Sequence, residues 1–256
     1  MMGGLLAAAG RSALDVAQTT GMMVCVAAGV AYSVLRLRVP VREIVVQLYA
    51  CGAACLPVTI MASICSGAIV AVQGMDYAQR YSAPAVYGWA AYFSAVREVG
   101  PLLLGVTLSA RLGALHAAEL GALSVTDRLD AMRALSVDPM AVMVAPRVLA
   151  MPVAAALLMV WSDAIALSSA TAFAWIFGGV TPWTTWASIQ NFSLWADFTL
   201  GLQKAAAYGL CAGITATGMG LNARGGADAV GTQVMRSAVA SLLVITAANH
   251  ALVIWT

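Results

Sequence analysis

The sequence predicts an all-α polytopic membrane protein: an N-terminal interfacial helix plus five transmembrane helices, with one short cytoplasmic helix between two of them. Of its 256 residues, 62% are hydrophobic and only 9% are charged. Soluble domains carry about 25% charged residues, because polar side chains must cover their surface. Long apolar stretches alternate here with short polar ones, and no strand pattern interrupts them. Backbone inside a bilayer must satisfy its own hydrogen bonds, so we expect these stretches to be helices.

The predicted spans are the stretches of about 20 or more mostly apolar residues, the length that crosses the hydrocarbon core. The second contains Arg97, Glu98 and Arg111, and the third contains Asp163. Charges at such positions are expected to face the interior of the bundle rather than lipid. The five spans lie at about residues 48–72, 87–117, 148–177, 199–221 and 238–255.

The stretch at residues 16–35 is also uncharged, but it contains Gln18, Thr19, Thr20 and two glycines. We interpret it as a helix that lies at or dips into the membrane interface, and a sixth span is the alternative. The chain is therefore expected to form one domain, 1–256. Its N-terminal segment is 1–42, and its transmembrane core, 43–256, includes the cytoplasmic helix at about 122–139.

The arginines indicate the orientation, because cytoplasmic loops are enriched in Lys and Arg. Arg36, Arg38 and Arg42 precede the first span and place its start in the cytoplasm. Alternation then puts 75–85 and 178–197 outside, where Arg80 is the one arginine and several tryptophans are expected at the interface. The inside loops carry five arginines: Arg128, Arg133, Arg147, Arg224 and Arg236.

A polar island at residues 119–147 interrupts the apolar chain. Within it, 125–135 has helical spacing, with Val125, Leu129 and Met132 on one side. Thr126 is expected to cap the start of this helix, and Asp138-Pro139 is expected to close the segment. Periodicity alone leaves two interpretations open, a solvated connecting helix and a coupling helix that an ATPase grips. The island holds seven of the 24 charged residues: Glu119, Asp127, Arg128, Asp130, Arg133, Asp138 and Arg147.

Arg97 and Glu98 lie within a predicted span, where an isolated charge costs at least about 2.5 kcal/mol. They are expected either to lock helices together or to contact a lipid head group. The adjacent Gly100-Pro101 is expected to kink the helix. Asp163 stands alone in its span, and Lys204 is a conceivable partner.

Three polar residues near the inner end of the second span are spaced along one helix. Arg111 and Glu119 are eight residues apart and so lie on roughly one side, where they are expected to form an ionic lock that supports the cytoplasmic helix. His116 and Glu119 are three apart, but a metal site needs more ligands than these.

Several classes of function find no support in the sequence. The five cysteines form no CxxC pair, and the net charge of +2 is too small to suggest nucleic acid. No HExxH, GxSx or paired-Asp arrangement stands in the spans, so we expect no catalytic site, no metal and no cofactor. The Gly-rich loop at 222–231 lacks the Lys-Ser/Thr of a phosphate loop, so it does not predict ATP binding by this chain.

The ordered motifs resemble the MlaE/YrbE family of ABC permeases, the membrane subunits of MCE lipid-transport systems. Ser136 departs from the family pattern, which usually has Gly or Ala there, and His116 is not expected. The matching residues are Arg97-Glu98-x-Gly100-Pro101, Ala110-Arg111-x-Gly113, Ala117-Ala118-Glu119-Leu120-Gly121, Thr126-Asp127, Asp130-Ala131-Met132, Asp138-Pro139, Pro146-Arg147 and Arg224-Gly225-Gly226-Ala227-x-x-Val230-Gly231.

This resemblance implies a dimer of permeases in the bacterial inner membrane, with two cytoplasmic ATPase subunits and an MCE-domain protein outside. It implies transport of lipids, typically phospholipids, between the inner membrane and the outer envelope. The alternative is a proton-coupled secondary transporter that uses Glu98 or Asp163. The residues expected to contact the ATPase are Glu119, Thr126, Asp127, Arg128, Asp130, Arg133, Asp138, Pro139 and Arg147, with Arg224, Gly225 and Gly226 in a second cytoplasmic loop.

Overall fold

The computed structural model describes residues 2–36, 39–80, 87–192, 195–223 and 226–255, and within them the chain is helical with no strand. Predictions that concern Arg38, Arg224 and Gly225 lie outside these residues. Three short π-helical segments interrupt the α-helices. The elements are α1 (Met2–Leu35), α2 (Val41–Arg80), α3 (Tyr87–Tyr92), π1 (Phe93–Val99), α4 (Gly100–Leu108), π2 (Ser109–Gly113), α5 (Ala114–Val125), α6 (Arg128–Ala134), π3 (Met140–Val144), α7 (Ala145–Gly178), α8 (Pro182–Phe192), α9 (Trp195–Leu221) and α10 (Ala227–Trp255).

Five helical stretches in the described part of the chain are long and apolar enough to cross a membrane, which agrees with the predicted polytopic all-α fold. Their membership differs from the prediction in two places, because 17–35 qualifies and α9 does not. The five are Ala17–Leu35, Val41–Arg80, Tyr87–Val125, Met140–Gly178 and Asp228–Ile254.

Helix α9 is less apolar than the other predicted spans because it is surrounded by protein. It packs against α7, α10, α5 and α4. Its buried side includes Asp197, Lys204 and several glycines, among them Gly209, where a Cβ atom would collide with the Met151 carbonyl oxygen. A membrane helix enclosed by others gains from small residues that allow close approach, rather than from apolar bulk. Its placement as a span stays a prediction.

Helix α1 packs against π3 and the start of α7 through two valines. Val26 and Val30 are buried against Val144 and Val148 of π3 and α7. The stretch that we expected to be interfacial is thus apolar enough to span and is fixed to the core on one side. Whether it spans or lies at the interface stays a prediction.

The segment at 178–197, which the sequence suggested as an outer loop, contains helix α8. The Ser188 hydroxyl of α8 accepts a hydrogen bond from the Trp89 backbone N–H of α3 at 3.0 Å. Trp183 and Trp186 remain exposed, as the expected interfacial tryptophans would be. This helix therefore covers the end of the bundle next to π1.

Candidate functional site

Segment π1 ends at Val99, and Gly100 and Pro101 begin helix α4. The Gly100 N–H bonds to the Ala95 carbonyl, five residues back, instead of the residue four back. Proline has no N–H, and in an α-helix the carbonyl of Arg97 would have been its acceptor. The Lys204 ammonium of α9 donates to that carbonyl instead, at 3.2 Å. The irregularity that the sequence predicted at Gly100-Pro101 therefore takes the form of a π-helical segment before the proline.

Two ion pairs join π1 to α9. The Arg97 guanidinium donates to the Asp197 carboxylate at 2.9 Å, and the Lys204 ammonium donates to the Glu98 carboxylate at 2.8 Å. A longer contact of 3.7 Å links the Arg97 side chain to Glu98. Two positive and two negative charges thus form a network without net charge, which we call the four-charge network.

Burial within the four-charge network is uneven. The side chains of Lys204 and Asp197 are 3% and 7% exposed, whereas that of Glu98 is 37% exposed. The α9 members are therefore enclosed by protein, and Glu98 is the most open of the four. The sequence left two roles open for Arg97 and Glu98, locking helices together and contacting a lipid head group. The structure contains the ion pairs that the first role needs, and it leaves Glu98 partly accessible, as the second role needs.

Close backbone contact brings the two elements together. Gly201 of α9 lies against the Val96 carbonyl oxygen of π1, and a Cβ atom there would collide with it. Gly201 is therefore required for this approach. The Phe93 ring packs under the Arg97 guanidinium at 5.1 Å and fixes that side chain from the other side.

The sequence missed one member of the network and misassigned another. Asp197 was placed in an outer loop, and the one available signal was an acidic residue immediately before an apolar stretch. Lys204 was considered as a partner for Asp163, and this prediction is wrong, because Lys204 bonds to Glu98. Both Asp163 oxygens are buried without a hydrogen bond to any residue that the structure describes.

An apolar groove of about 440 Å³ lies beside π1, between it and the second half of α2. Ser94 and Val99 of π1 form part of its wall, on the same segment as Glu98. A volume of this size is in the range of ligand-binding clefts. The other lining residues are Val70, Gln73, Gly74, Tyr77, Ala78, Tyr87, Ala90 and Ala91.

At the other end of the long helix, Glu119 pairs with Arg147. The Arg147 guanidinium donates to the Glu119 carboxylate at 3.0 Å and to the Met143 carbonyl at 2.8 Å. The predicted ionic lock between Arg111 and Glu119 is therefore wrong: Glu119 is held by α7 instead. His116 is buried, with its Nε2 atom 3.7 Å from the Cys51 sulfur. No group of three possible metal ligands occurs in the described ranges.

The polar island forms an elbow rather than one helix over 125–135. Helix α5 continues to Val125, and the chain then turns through Asp127, whose φ of 55° is left-handed, before α6 begins. Thr126 does not cap α6 as predicted, because its hydroxyl donates back to the Ala122 carbonyl at 2.8 Å. Aspartate tolerates the left-handed conformation better than most residues, which explains a turn here.

Helix α6 has one buried anchor and a charged outer surface. Leu129 is 6% exposed, whereas Asp130 and Arg133 form a 2.7 Å pair with side chains 71% and 66% exposed. The charged residues are thus presented outward, where a partner has access. Pairs as exposed as this contribute about 0.2–1 kcal/mol, so they are not needed for the fold.

Beyond α6, the chain turns again and starts the next helix. Ser136 has a φ of 60°, a conformation that suits the glycine usual at this point of the pattern. The Asp138 carboxylate accepts a hydrogen bond from the Met140 N–H at 3.0 Å. Asp138 therefore caps the start of the following helix rather than closing α6. The Ser124 hydroxyl ties this end to α9 by donating to the Leu221 and Ala223 carbonyls.

The chain is similar in sequence to known permease proteins. The family model Permease MlaE matches residues 44–255. The chain is 28% identical over 241 residues to a probable ABC transporter permease protein of Rickettsia felis, covering 94% of this chain and 93% of the relative. It is 24% identical to the intermembrane phospholipid transport system permease protein MlaE of Haemophilus influenzae, with 80% and 79% covered.

A chloroplast relative has the same level of similarity. Protein trigalactosyldiacylglycerol 1 of Arabidopsis thaliana is 24% identical over 233 residues, covering 91% of this chain and 67% of the relative. The family match covers most of the chain and includes both the four-charge network and the elbow at α6. This multi-pass membrane protein therefore belongs to the MlaE permease family.

Proposed function

We propose that this chain is the membrane subunit of an ATP-driven transporter that moves phospholipid between the bacterial inner membrane and the outer envelope. The observation that carries the proposal is the four-charge network beside the apolar groove. In this proposal the subunit has no catalytic activity of its own and holds no cofactor. A cytoplasmic ABC ATPase hydrolyses ATP, a second permease copy or a paralogue completes the membrane part, and an MCE-domain protein lies on the outer side.

The groove and Glu98 together suit an amphiphile. The groove wall is mostly apolar and includes Val99, and the neighbouring residue in the chain, Glu98, has a side chain that is 37% exposed with one oxygen bound to Lys204. A lipid tail would occupy the apolar part, and polar head-group atoms would meet the network. Because the network carries no net charge, it offers both donors and acceptors without holding an ion so strongly that release is prevented.

One helical path joins this region to α6. The chain is continuous and helical from Tyr87 to Val125. At about 1.5 Å per residue, the 28 residues from Arg97 to Val125 span roughly 42 Å. Movement of α6 by an ATPase would be transmitted along this helix to π1. Coupling of this kind needs a rigid lever with an exposed end, and α5–α6 provides both.

Charge exchange within the network tests the lipid role. Glu98→Lys and Lys204→Glu are each expected to lower thermal stability in detergent. The double exchange is expected to restore part of the loss, because the pair re-forms but a glutamate at position 204 cannot donate to the Arg97 carbonyl. Transport of phospholipid between proteoliposomes is expected to stay low in the double variant, because the most exposed member of the network, next to Val99 of the groove wall, is then a cation. The control is the same exchange at Asp76 and Arg80, an exposed 2.9 Å pair at the end of α2. Full transport in the restored pair would leave only a structural role.

A second experiment tests ATPase docking. Simultaneous charge reversal of Asp127, Asp130 and Arg133 is expected to abolish co-purification of the ATPase while the permease stays folded, since these side chains are exposed. The melting temperature is expected to fall only slightly, by the cost of replacing aspartate at the left-handed position 127. The exchange of Asp76 and Arg80 again serves as the control. If the ATPase still binds the triple variant, the docking role of α6 is wrong.

Proton-coupled secondary transport remains the alternative, and the buried, unbonded carboxyl group of Asp163 favours it. The two functions differ in their energy source. We expect lipid movement in proteoliposomes to require the ATPase and ATP. Lipid movement by the permease alone under a proton gradient, lost in Asp163→Asn, would establish the alternative instead.

A further inference from the structure

A second groove, remote from the four-charge network, lies between α1, the end of α9 and the start of α10. Its volume is about 550 Å³. It includes Met219, which lies 15 residues after Lys204 on α9, or roughly 22 Å along the helix. The lining residues are Thr19, Thr20, Met23, Met219, Met235, Arg236, Val239, Ala240, Leu243 and Val244.

Helix α10 contributes one continuous face to this second groove. Its lining residues fall in two rows with a spacing of four, one from Met235 through Val239 to Leu243 and the other beginning at Arg236. The side chains of the first row are well exposed, Leu243 at 68%. Arg236 stands at one end of this face, and the roughly 10 Å of helix that follow are apolar.

Arg236 is exposed on the stretch of α10 that is long and apolar enough to span a membrane. It lies eight residues after Asp228, where the stretch of α10 that is apolar enough to span begins, or about 12 Å along the helix. Among the residues that the structure describes, no carboxylate lies within ion-pair distance of Arg236. An unpaired charge at such a position is costly unless an anion or water reaches it.

We propose that this second groove binds one anionic phospholipid, with its phosphate on Arg236 and an acyl chain along α10. An arginine binds phosphate through two parallel N–H groups, so the head group supplies an anion that none of the described residues provides. Three methionines line the groove, and their flexible thioethers adapt to a chain of variable shape. The site lies at the same end of the bundle as α6, since Ser124 of α5 bonds to the end of α9.

A second copy of the chain fits this surface less well. In a two-fold contact the patch would face itself, so Arg236 of each copy would meet lining residues of the other copy. The lining residues include no carboxylate that would compensate the two charges. A phospholipid satisfies both the charge and the apolar wall, and this complementarity decides between the two occupants. The inference does not depend on the transport function proposed above.

Native mass spectrometry of the full chain with its ATPase, mixed with dioleoyl phosphatidylglycerol, tests the site. Arg236→Gln is expected to reduce the retained lipid roughly tenfold, the effect of losing charge-assisted hydrogen bonds to one phosphate. Arg236→Lys is expected to lie between wild type and Arg236→Gln. Inorganic phosphate at the same concentration is expected not to displace the lipid, because it gains nothing from the apolar wall.

Two variants of the apolar wall complete the test. Leu243→Trp is expected to fill the groove and Leu243→Ser to weaken acyl-chain binding, and both should lose the lipid while the lipid-free melting temperature stays near that of wild type. Arg80→Gln removes an exposed arginine at the end of α2, which does not line the second groove. It is the matched control and should retain the lipid. Wild-type lipid retention in Arg236→Gln would overturn the proposal. So would loss of the permease dimer, with lipid unchanged, in the Leu243 variants.

Discussion

Two buried aspartates in this bundle are expected to respond differently to the same substitution. Asp163 and Asp197 are each 5% exposed. Asp197 accepts a hydrogen bond from the Arg97 guanidinium at 2.9 Å, whereas neither oxygen of Asp163 has a partner within the described residues. Replacement by asparagine keeps the shape of each side chain and removes its capacity for negative charge. The pair of substitutions therefore isolates the contribution of the ion pair.

The loss of stability expected for Asp197→Asn depends on the contacts that Arg97 keeps. Removing one partner of a buried ion pair costs about 3–5 kcal/mol. Arg97 is 23% exposed and keeps its 3.7 Å contact with Glu98, so we expect the lower limit, about 3 kcal/mol. That is roughly a hundredfold change in the ratio of folded to unfolded protein. Asp163→Asn breaks no such pair, so its change should stay within about 1 kcal/mol or be stabilising.

Unfolding of the purified protein in mixed micelles, titrated with a denaturing detergent, measures both variants against wild type. Helix content and a thermal melt provide independent readings of the same transition. We expect Asp197→Asn to shift the midpoint clearly and Asp163→Asn to leave it or raise it. Equal losses at the two positions would refute the reasoning, because they would mean that burial of the aspartate, and not its ion pair, determines the cost.

Three further substitutions probe the irregular backbone and the inner ion pair. Pro101→Ala restores an N–H, so π1 is expected to relax towards an α-helix and rotate Arg97 by about 100°, away from Asp197. Loss of that pair is expected to lower stability by about 3 kcal/mol, as in Asp197→Asn, and to abolish lipid transport by the protein that stays folded; thermal melts and transport assays check the two effects. Ser136→Gly removes left-handed strain and should raise stability by up to about 1 kcal/mol in thermal melts. Glu119→Ala should cost about 2 kcal/mol in detergent-induced unfolding because it strands buried Arg147, and adding Arg147→Met should recover part of that loss.

The sequence predicts the spans well and the pairing of their charges poorly, for a physical reason. Apolar length is a local property, so the α2 and α7 spans follow directly from it. The partner of Arg97 is Asp197, 100 residues away, and no local pattern indicates which helices will be neighbours. The same holds for Arg147, which binds a glutamate 28 residues earlier rather than one on its own helix. The motifs contain Arg97, Glu98, Glu119 and Arg147, which form ion pairs in the structure, but they do not identify the partner of each residue.

Backbone irregularities account for the remaining differences. Periodicity assumes 3.6 residues per turn, and π-helical segments such as π1 change the register within a span. The elbow at Asp127 was missed because the flanking residues favour a helix on both sides, so 125–135 was taken as continuous. Aspartate at a left-handed position is a weak signal that sequence spacing cannot separate from an ordinary helix start. Both features lie in the parts of the chain that we assign to function.

The two cations that terminate π-helical segments share one arrangement, which links the two ends of the molecule. Lys204 binds the Arg97 carbonyl of π1 and the Glu98 carboxylate, and Arg147 binds the Met143 carbonyl of π3 and the Glu119 carboxylate. In each case a proline is the second residue after the π-helical segment. A cation bound to both a backbone carbonyl and a glutamate on the Tyr87–Val125 helix holds that helix against its neighbour at two heights. If an ATPase moves α6 as proposed above, displacement of that helix would have to break or shift these two contacts.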